Sequence, residues 1–240
     1  MTSVRIAQAL KPHRTSVRYR PVAAYEPPET VRRALNVTVA AAGLVLTAPL
    51  MGAIALLIKL TSRGAVFYTQ TRVGVDRRRP GDPAGNNRRH LDHGGKPFRI
   101  YKFRTMAPRS PKDGESEVWA APQDPRVTPI GRILRLYRLD ELPQLLNVLR
   151  GEMNVVGPRP EQPSIFARLR KEIDRYDERQ RVRPGITGWA QINQSYDSCV
   201  DDVRSKLQYD LEYIRRQSAL EDLRIMLRTL PVLVFKQGAW

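Results

Sequence analysis

The sequence predicts a mainly α protein with a small β element, built as a monotopic membrane protein: a Pro-broken re-entrant membrane helix followed by a cytoplasmic domain. Three observations carry that expectation. The segment from Ala34 to Ile58 contains no charge, although mean hydropathy over the whole chain is negative. Apolar residues recur at helical spacing through most of the chain after Ile130. Before that point, two short stretches rich in Val, Phe, Tyr, Thr and Ile have the composition of strands.

Residues 1–30 are basic, contain proline and lack periodicity, which predicts a flexible leader; no small-residue cleavage pattern marks a secretory signal. Residues 31–60 form the membrane segment. As a helix the uncharged run is roughly 37 Å long at ~1.5 Å per residue, enough for a ~30 Å hydrocarbon core. Two features favour a helix that dips in and returns over a kinked span. Pro49, after Ala48, removes a helical hydrogen bond and frees the Val45 carbonyl, with Thr47 the nearest side-chain donor in sequence. Both flanks are basic, Arg32 and Arg33 before and Lys59 and Arg63 after, so a span would carry the arginine-rich leader outside.

The domain is expected over 61–240. Ala65–Val73 and Lys96–Phe103 read as strands, separated by a basic, aperiodic loop insertion over 75–95. His90 and His93 lie in that loop and match no closed metal-ligand set. A second loop covers Ala107–Asp124. Helices are predicted over Ile130–Tyr137, Glu141–Leu149, Pro163–Gln180, Asp201–Arg216 and Leu220–Phe235, the last kinking or breaking near Pro231. That last helix suits either an anionic membrane surface or the core.

The net charge of +17 over 240 residues points to anionic partners, among them nucleic acid, acidic lipid and phosphorylated small molecules. Cys199 is the single cysteine, so no internal disulfide forms.

The densest chemical signal is RLDELPQLLNVLRGEMNVVGPRPE, Arg138 to Glu161. Asp140 stands at or near the N-cap of the helix it precedes, and capping alone would explain it. Its neighbours suggest more. Arg135 and Arg138 lie upstream, and Arg159 sits in a Gly-Pro-Arg-Pro turn downstream, which suits phosphate chemistry. A carboxylate of ordinary pKa near ~3.9 is ionised at neutral pH and attacks phosphorus without a general base. Glu141, pointing about 100° away on a helix, is positioned to hold Mg²⁺. FRIYKFRTM, Phe98 to Met106, places Lys102 and Arg104 on one side of an extended segment. RPGITGWAQ, Arg183 to Gln191, predicts a turn whose backbone approaches a ligand closely.

Taken in order, KPFRIYKFRTM, LDELPQLLNVLRGEM, VGPRPE and VRPGITGWAQIN, behind one Pro-broken apolar segment, resemble the bacterial sugar transferases, the small monotopic polyprenyl-phosphate phosphoglycosyl transferases. The resemblance runs from about residue 30 to the C-terminus; larger members carry further transmembrane helices ahead of this core, and this chain looks like a minimal version. It implies a catalytic domain at the cytoplasmic face of the bacterial inner membrane and a ping-pong reaction. The aspartate attacks the β-phosphate of a UDP-sugar, UMP leaves, and polyprenyl (undecaprenyl) phosphate takes the phosphosugar from the enzyme. By resemblance Asp140 is the nucleophile and Glu141 the Mg²⁺ ligand. Arg135, Lys102 and Arg159 are phosphate-binding, and Arg183, Gly185 and Thr187 belong to nucleotide handling. Expected partners are therefore a UDP-sugar, polyprenyl phosphate and an anionic membrane, without nucleic acid. Three departures stand out: Ala48-Pro49 replaces the usual Ser-Pro, Arg138 replaces a small hydroxyl residue, and Asn193-Gln194 replaces Asn-Gly. The competing readings are a non-catalytic membrane scaffold of the same fold and a membrane-tethered nucleic-acid-binding protein, the latter without any recognisable binding motif.

Overall fold

A computed structural model describes residues 29–77, 94–107, 124–194 and 200–234. The expected leader, most of the 75–95 insertion with His90 and His93, much of the second loop and Cys199 lie outside the described residues.

The chain is mostly helical, as expected. It begins with α1, Glu29–Thr61, which runs for 33 residues. The helix continues through Pro49 without a non-helical residue, so the proposed break at Ala48-Pro49 is a proline within one helix and does not divide it into two. Thr47 Oγ1 donates to the Gly43 carbonyl at 2.7 Å, four residues back, and not to that of Val45. This is the ordinary bond of a helical threonine to the preceding turn.

Both arms of α1 pack on the same body. In the first arm, Asn36 Oδ1 accepts from the Val155 amide at 2.5 Å, and Arg33 donates to the Val148 and Leu149 carbonyls at 2.6 and 2.8 Å. Arg32 donates to Asp222 and to the Tyr213 hydroxyl, 3.0 and 2.7 Å away. These two arginines are tied into the fold, so they count less as a free basic flank than the sequence suggested. In the second arm, Ile54 and Ile58 join Phe103 and Leu134 in a small apolar cluster. Between the arms, Val45, Leu46 and Leu50 are exposed. Only 11% of the most apolar window of α1 is buried, which separates it from the core helix of a soluble protein.

The expected strands form an antiparallel hairpin: β1, Phe67–Val73, pairs with β2, Pro97–Phe103, in a register that sets Tyr68 opposite Lys102. The α2 helix, Pro129–Leu136, starts where Thr128 Oγ1 accepts from the Gly131 amide, with proline in the first turn. A 3-10 turn, Leu139–Glu141, precedes α3, Gln144–Leu149.

One sheet was not predicted. β3, Asn154–Val156, and β4, Gly185–Thr187, pair in parallel, and at three residues each they are too short to show alternation. Here two glycines permit backbone contact. A Cβ on Gly185 would lie 2.1 Å from the Gly157 nitrogen, and one on Gly157 would lie 2.4 Å from the Arg183 carbonyl oxygen. The predicted helix over Pro163–Gln180 is divided: α4, Pro163–Glu172, ends at Ile173 and a 3-10 helix follows over Tyr176–Arg181. After α5, Trp189–Asn193, come α6, Val200–Arg216, and α7, Ala219–Val234, which passes through Pro231. The main core joins Ala40 of α1 to Val148, Val155, Phe166, Tyr213 and Ile225.

Candidate active site

Asp140 and Glu141 lie in the 3-10 turn, and both are buried. Arg138 enters that turn in the left-handed region at φ 53°, an uncommon conformation for a branched chain end of this size. The expectation that Asp140 caps the following helix is not met. The N-cap of α3 is Pro143, three residues beyond Asp140. The Asp140 carboxylate is therefore not engaged in capping α3.

The two carboxylates differ sharply. Lys102 Nζ from β2 and Arg159 Nη2 from the turn after β3 each lie 2.7 Å from Glu141 Oε1. Arg159 Nη1 also donates to Oε2, more weakly, at 3.4 Å. Burial pushes the Glu141 pKa up, but Arg159 and Lys102 outweigh it and hold the group well below the ordinary carboxylate range. Asp140 has no hydrogen bond or ion pair among the described residues. Burial raises its pKa, and the neighbouring Glu141 adds to the rise, while Lys102, Arg135 and Arg159 pull in the opposite direction. Burial likewise lowers the Lys102 pKa, opposed by Glu141. Arg135 donates its Nε to Thr105 Oγ1 at 3.0 Å, which anchors its head beside the dyad. Three cations, Lys102, Arg135 and Arg159, thus face two carboxylates, an excess of one positive charge at the dyad.

Other residues singled out from the sequence go elsewhere. The strand ends at Phe103, so Arg104 leaves the side shared with Lys102 and donates to the Ser62 and Arg63 carbonyls at the end of α1. Arg183 donates to the Gly151 carbonyl at 3.0 Å and pairs with Glu29 at the start of α1. Gly185 is required by the close approach of β4 to Gly157. Thr187 does reach the dyad's surroundings: it lines a cavity of about 300 Å³ together with Glu141.

The sequence reading missed what holds Arg159. Arg179, only 1% exposed, donates to the Arg159 carbonyl at 3.1 Å. Its other donors go to Asp210 (Nε, 3.1 Å) and Glu161 (Nη1, 3.3 Å) and to the Tyr176 hydroxyl. Arg72 Nη1 supports the same turn through the Pro160 carbonyl at 3.1 Å. No short motif links these residues; only the i, i+3 spacing of Tyr176 and Arg179 was visible, and in sequence it resembles any helical pair.

A family model described as bacterial sugar transferase matches residues 28–236. The chain belongs to the bacterial sugar transferase family. This sugar transferase is 39% identical over 209 residues to the UDP-N-acetylgalactosamine-undecaprenyl-phosphate N-acetylgalactosaminephosphotransferase of Aeromonas hydrophila, an alignment covering 87% of this chain and 45% of that protein. It is 40% identical to the UDP-glucose:undecaprenyl-phosphate glucose-1-phosphate transferase of Caulobacter vibrioides, covering 87% and 72%. It is 34% identical to the exopolysaccharide production protein ExoY of Rhizobium meliloti, covering 87% and 88%. The sugar transferase therefore spans less than half the length of some curated relatives and most of the length of others.

Proposed function

We propose that this sugar transferase moves a sugar-1-phosphate from a UDP-sugar to polyprenyl phosphate through a covalent phosphosugar on Asp140. The observation that carries the reading is the asymmetry of the dyad: Glu141 is held by Lys102 and Arg159, while its neighbour Asp140 is buried without a partner among the described residues. A buried carboxylate with little solvation to shed is a stronger nucleophile than one held by cations.

In the first step an Asp140 carboxylate oxygen attacks the β-phosphorus. A P–O(Asp) bond forms, the bond from that phosphorus to the bridging oxygen breaks, and the electron pair leaves with UMP. In the second, an oxygen of polyprenyl phosphate attacks the same phosphorus. The P–O(Asp) bond breaks, the carboxylate is restored and the lipid diphosphate sugar departs. Lys102, Arg159 and Arg135 take up charge on the phosphoryl oxygens in both steps. Only the ionised form of Asp140 attacks, so the first step accelerates as pH rises through its elevated pKa.

Mg²⁺ fits this donor set as a shared ligand. Among the described residues no group of three or more Asp, Glu, His or Cys side chains could enclose a metal. Glu141 Oε2, with its arginine donor at 3.4 Å, retains acceptor capacity, and Mg²⁺ typically takes one or two carboxylates together with substrate phosphates. Glu141 would hold the ion, which supplies charge neutralisation at the diphosphate.

The names of the relatives support undecaprenyl phosphate as acceptor and UDP-glucose or UDP-N-acetylgalactosamine as first donors to try. An exopolysaccharide pathway is supported by the relative named for it. Association with the cytoplasmic face of an inner membrane is supported by the exposed apolar middle of α1, both of whose arms pack on one domain that a bilayer could not divide. The test is UMP release by purified protein with Mg²⁺, undecaprenyl phosphate and a panel of UDP-sugars. Release is expected with at least one donor, and its loss in Asp140→Asn. A fully active Asp140→Asn enzyme would refute the proposal.

A further inference from the structure

Glu141 closes one side of the cavity of about 300 Å³, whose remaining walls are largely apolar: Val39 of α1, Leu145 of α3, Ile186 of β4, Ile192 of α5 and Met226 of α7. Its lining runs from exposed residues, Tyr137 at 44% and Leu230 at 57%, to Glu141 at 7%. A largely apolar cavity thus runs from the molecule's surface to buried Glu141, the neighbour of Asp140.

Building on the two-step reaction above, we propose that this cavity receives the isoprenoid units next to the phosphate of the polyprenyl phosphate acceptor. The chemistry is graded in the right order. Lys102 and Arg159 stand at the Glu141 end, where a phosphate is attracted, and the walls beyond offer hydrocarbon contact. Besides Glu141 the polar lining residues are Tyr137, Arg138, Thr187, Gln191 and Thr229, and the last three have little hydrogen-bonding capacity left for a sugar or nucleotide. The Thr187 and Thr229 hydroxyls bond each other at 2.9 Å, and Thr229 also donates to the Ile225 carbonyl. Gln191 gives its amide NH to Ile186, leaving Oε1 as a single buried acceptor where a sugar needs several. The exit also suits a lipid. Val39 lies less than two turns before the exposed apolar middle of α1, and α7 exposes Leu223 and Leu227 alongside Leu230. At the small end of the ~300–1,000 Å³ range of ligand sites, the cavity holds only the first units of the chain, and the rest runs out along these two helices.

The test uses full-length protein with tryptophan placed on two different walls, Met226→Trp and Ile192→Trp. UMP release from the UDP-sugar without acceptor reads the first half-reaction, steady-state turnover reads the acceptor KM, and calorimetric titration with farnesyl phosphate reads binding without turnover. Each methylene kept out of the cavity weakens binding about fourfold, so both variants should raise the acceptor KM and the farnesyl phosphate Kd by roughly tenfold or more. The acceptor-free burst of UMP should remain, which also shows that the variants fold. Unchanged acceptor KM and farnesyl phosphate binding in both variants would overturn the proposal. So would loss of the burst with farnesyl phosphate binding intact, which would give the cavity to the donor. If wild-type protein released no UMP from any donor, the reaction reading would fail, and the farnesyl phosphate titration would still decide the cavity's occupant.

Discussion

Arg179→Met removes a buried side chain that joins the Arg159 turn to α6. Arg179 is 1% exposed and its ion-pair partner Asp210 3%, so the substitution leaves a buried carboxylate without its cation and Glu161 with only Lys206 and Arg72 nearby. Breaking one side of a buried pair costs about 3–5 kcal/mol. For a domain of this size about 2–4 °C of melting temperature accompanies each kcal/mol, so a drop of about 6–20 °C is expected. The deficit should depend on pH. Burial already raises the Asp210 pKa and Arg179 restrains the rise; without Arg179 it rises further. Protonation then relieves the unpaired charge, so the gap between variant and wild type should narrow as pH falls. Thermal melting of both proteins in detergent across pH 5–8 provides the assay. A shift below about 2 °C, or a deficit that does not change with pH, would refute the buried-network reasoning. Because Arg179 also fixes the Arg159 carbonyl, Arg179→Lys should restore more stability than activity: it keeps the charge but cannot make the same fork of contacts.

Three further outcomes follow from the same geometry. The Glu161 pKa is lowered from 4.5 to about 2, with burial opposed by Lys206, Arg179 and Arg72. A depressed carboxylate contributes stability above its unfolded pKa, so about 3 kcal/mol should be lost as pH falls from about 4.5 toward 2. Glu161→Gln should flatten that part of the acid-melting curve. Gly185→Ala sets a Cβ against backbone at 2.1 Å and should destabilise by about 1–3 kcal/mol or prevent folding, read by melting and soluble yield. Arg183→Ala should lower melting temperature through its lost contacts to Gly151 and Glu29, while changing the UDP-sugar KM less than about threefold. A larger KM effect would support the nucleotide-handling role expected of Arg183 from the sequence.

Much of this architecture is legible in the sequence because it rests on periodicity. The uncharged run of α1, the hairpin strands and the boundaries of α2 and α6 follow from apolar spacing and a Thr-Pro start. The β3–β4 pair escaped because strands of three residues carry no period, and its signature was two glycines, Gly157 and Gly185, too far apart in sequence for any local pattern to link. At the site, Asp140, Glu141, Lys102 and Arg159 stand out in short motifs, and the structure brings Lys102 and Arg159 onto Glu141 beside Asp140. Which carboxylate binds the cations is not legible in the sequence. That depends on β2 and the turn after β3 converging on Glu141, a tertiary fact. The same holds for Arg179, whose partners Glu161, Arg159 and Asp210 lie 18 to 31 residues away in sequence. Pro49 lies inside a continuous helix where a break was expected, and Pro231 likewise lies within α7 without ending it.

The role given to Asp140 is decided by mass spectrometry of protein incubated with Mg²⁺ and a UDP-sugar that supports UMP release, quenched before any polyprenyl phosphate is added. A sugar-phosphate adduct on the peptide containing Asp140, absent from Asp140→Asn and discharged when polyprenyl phosphate is supplied, is the expected result. UMP release without an adduct, or an adduct that persists in Asp140→Asn, would contradict a nucleophilic Asp140 and leave Glu141 and its cations to bind substrates for direct transfer.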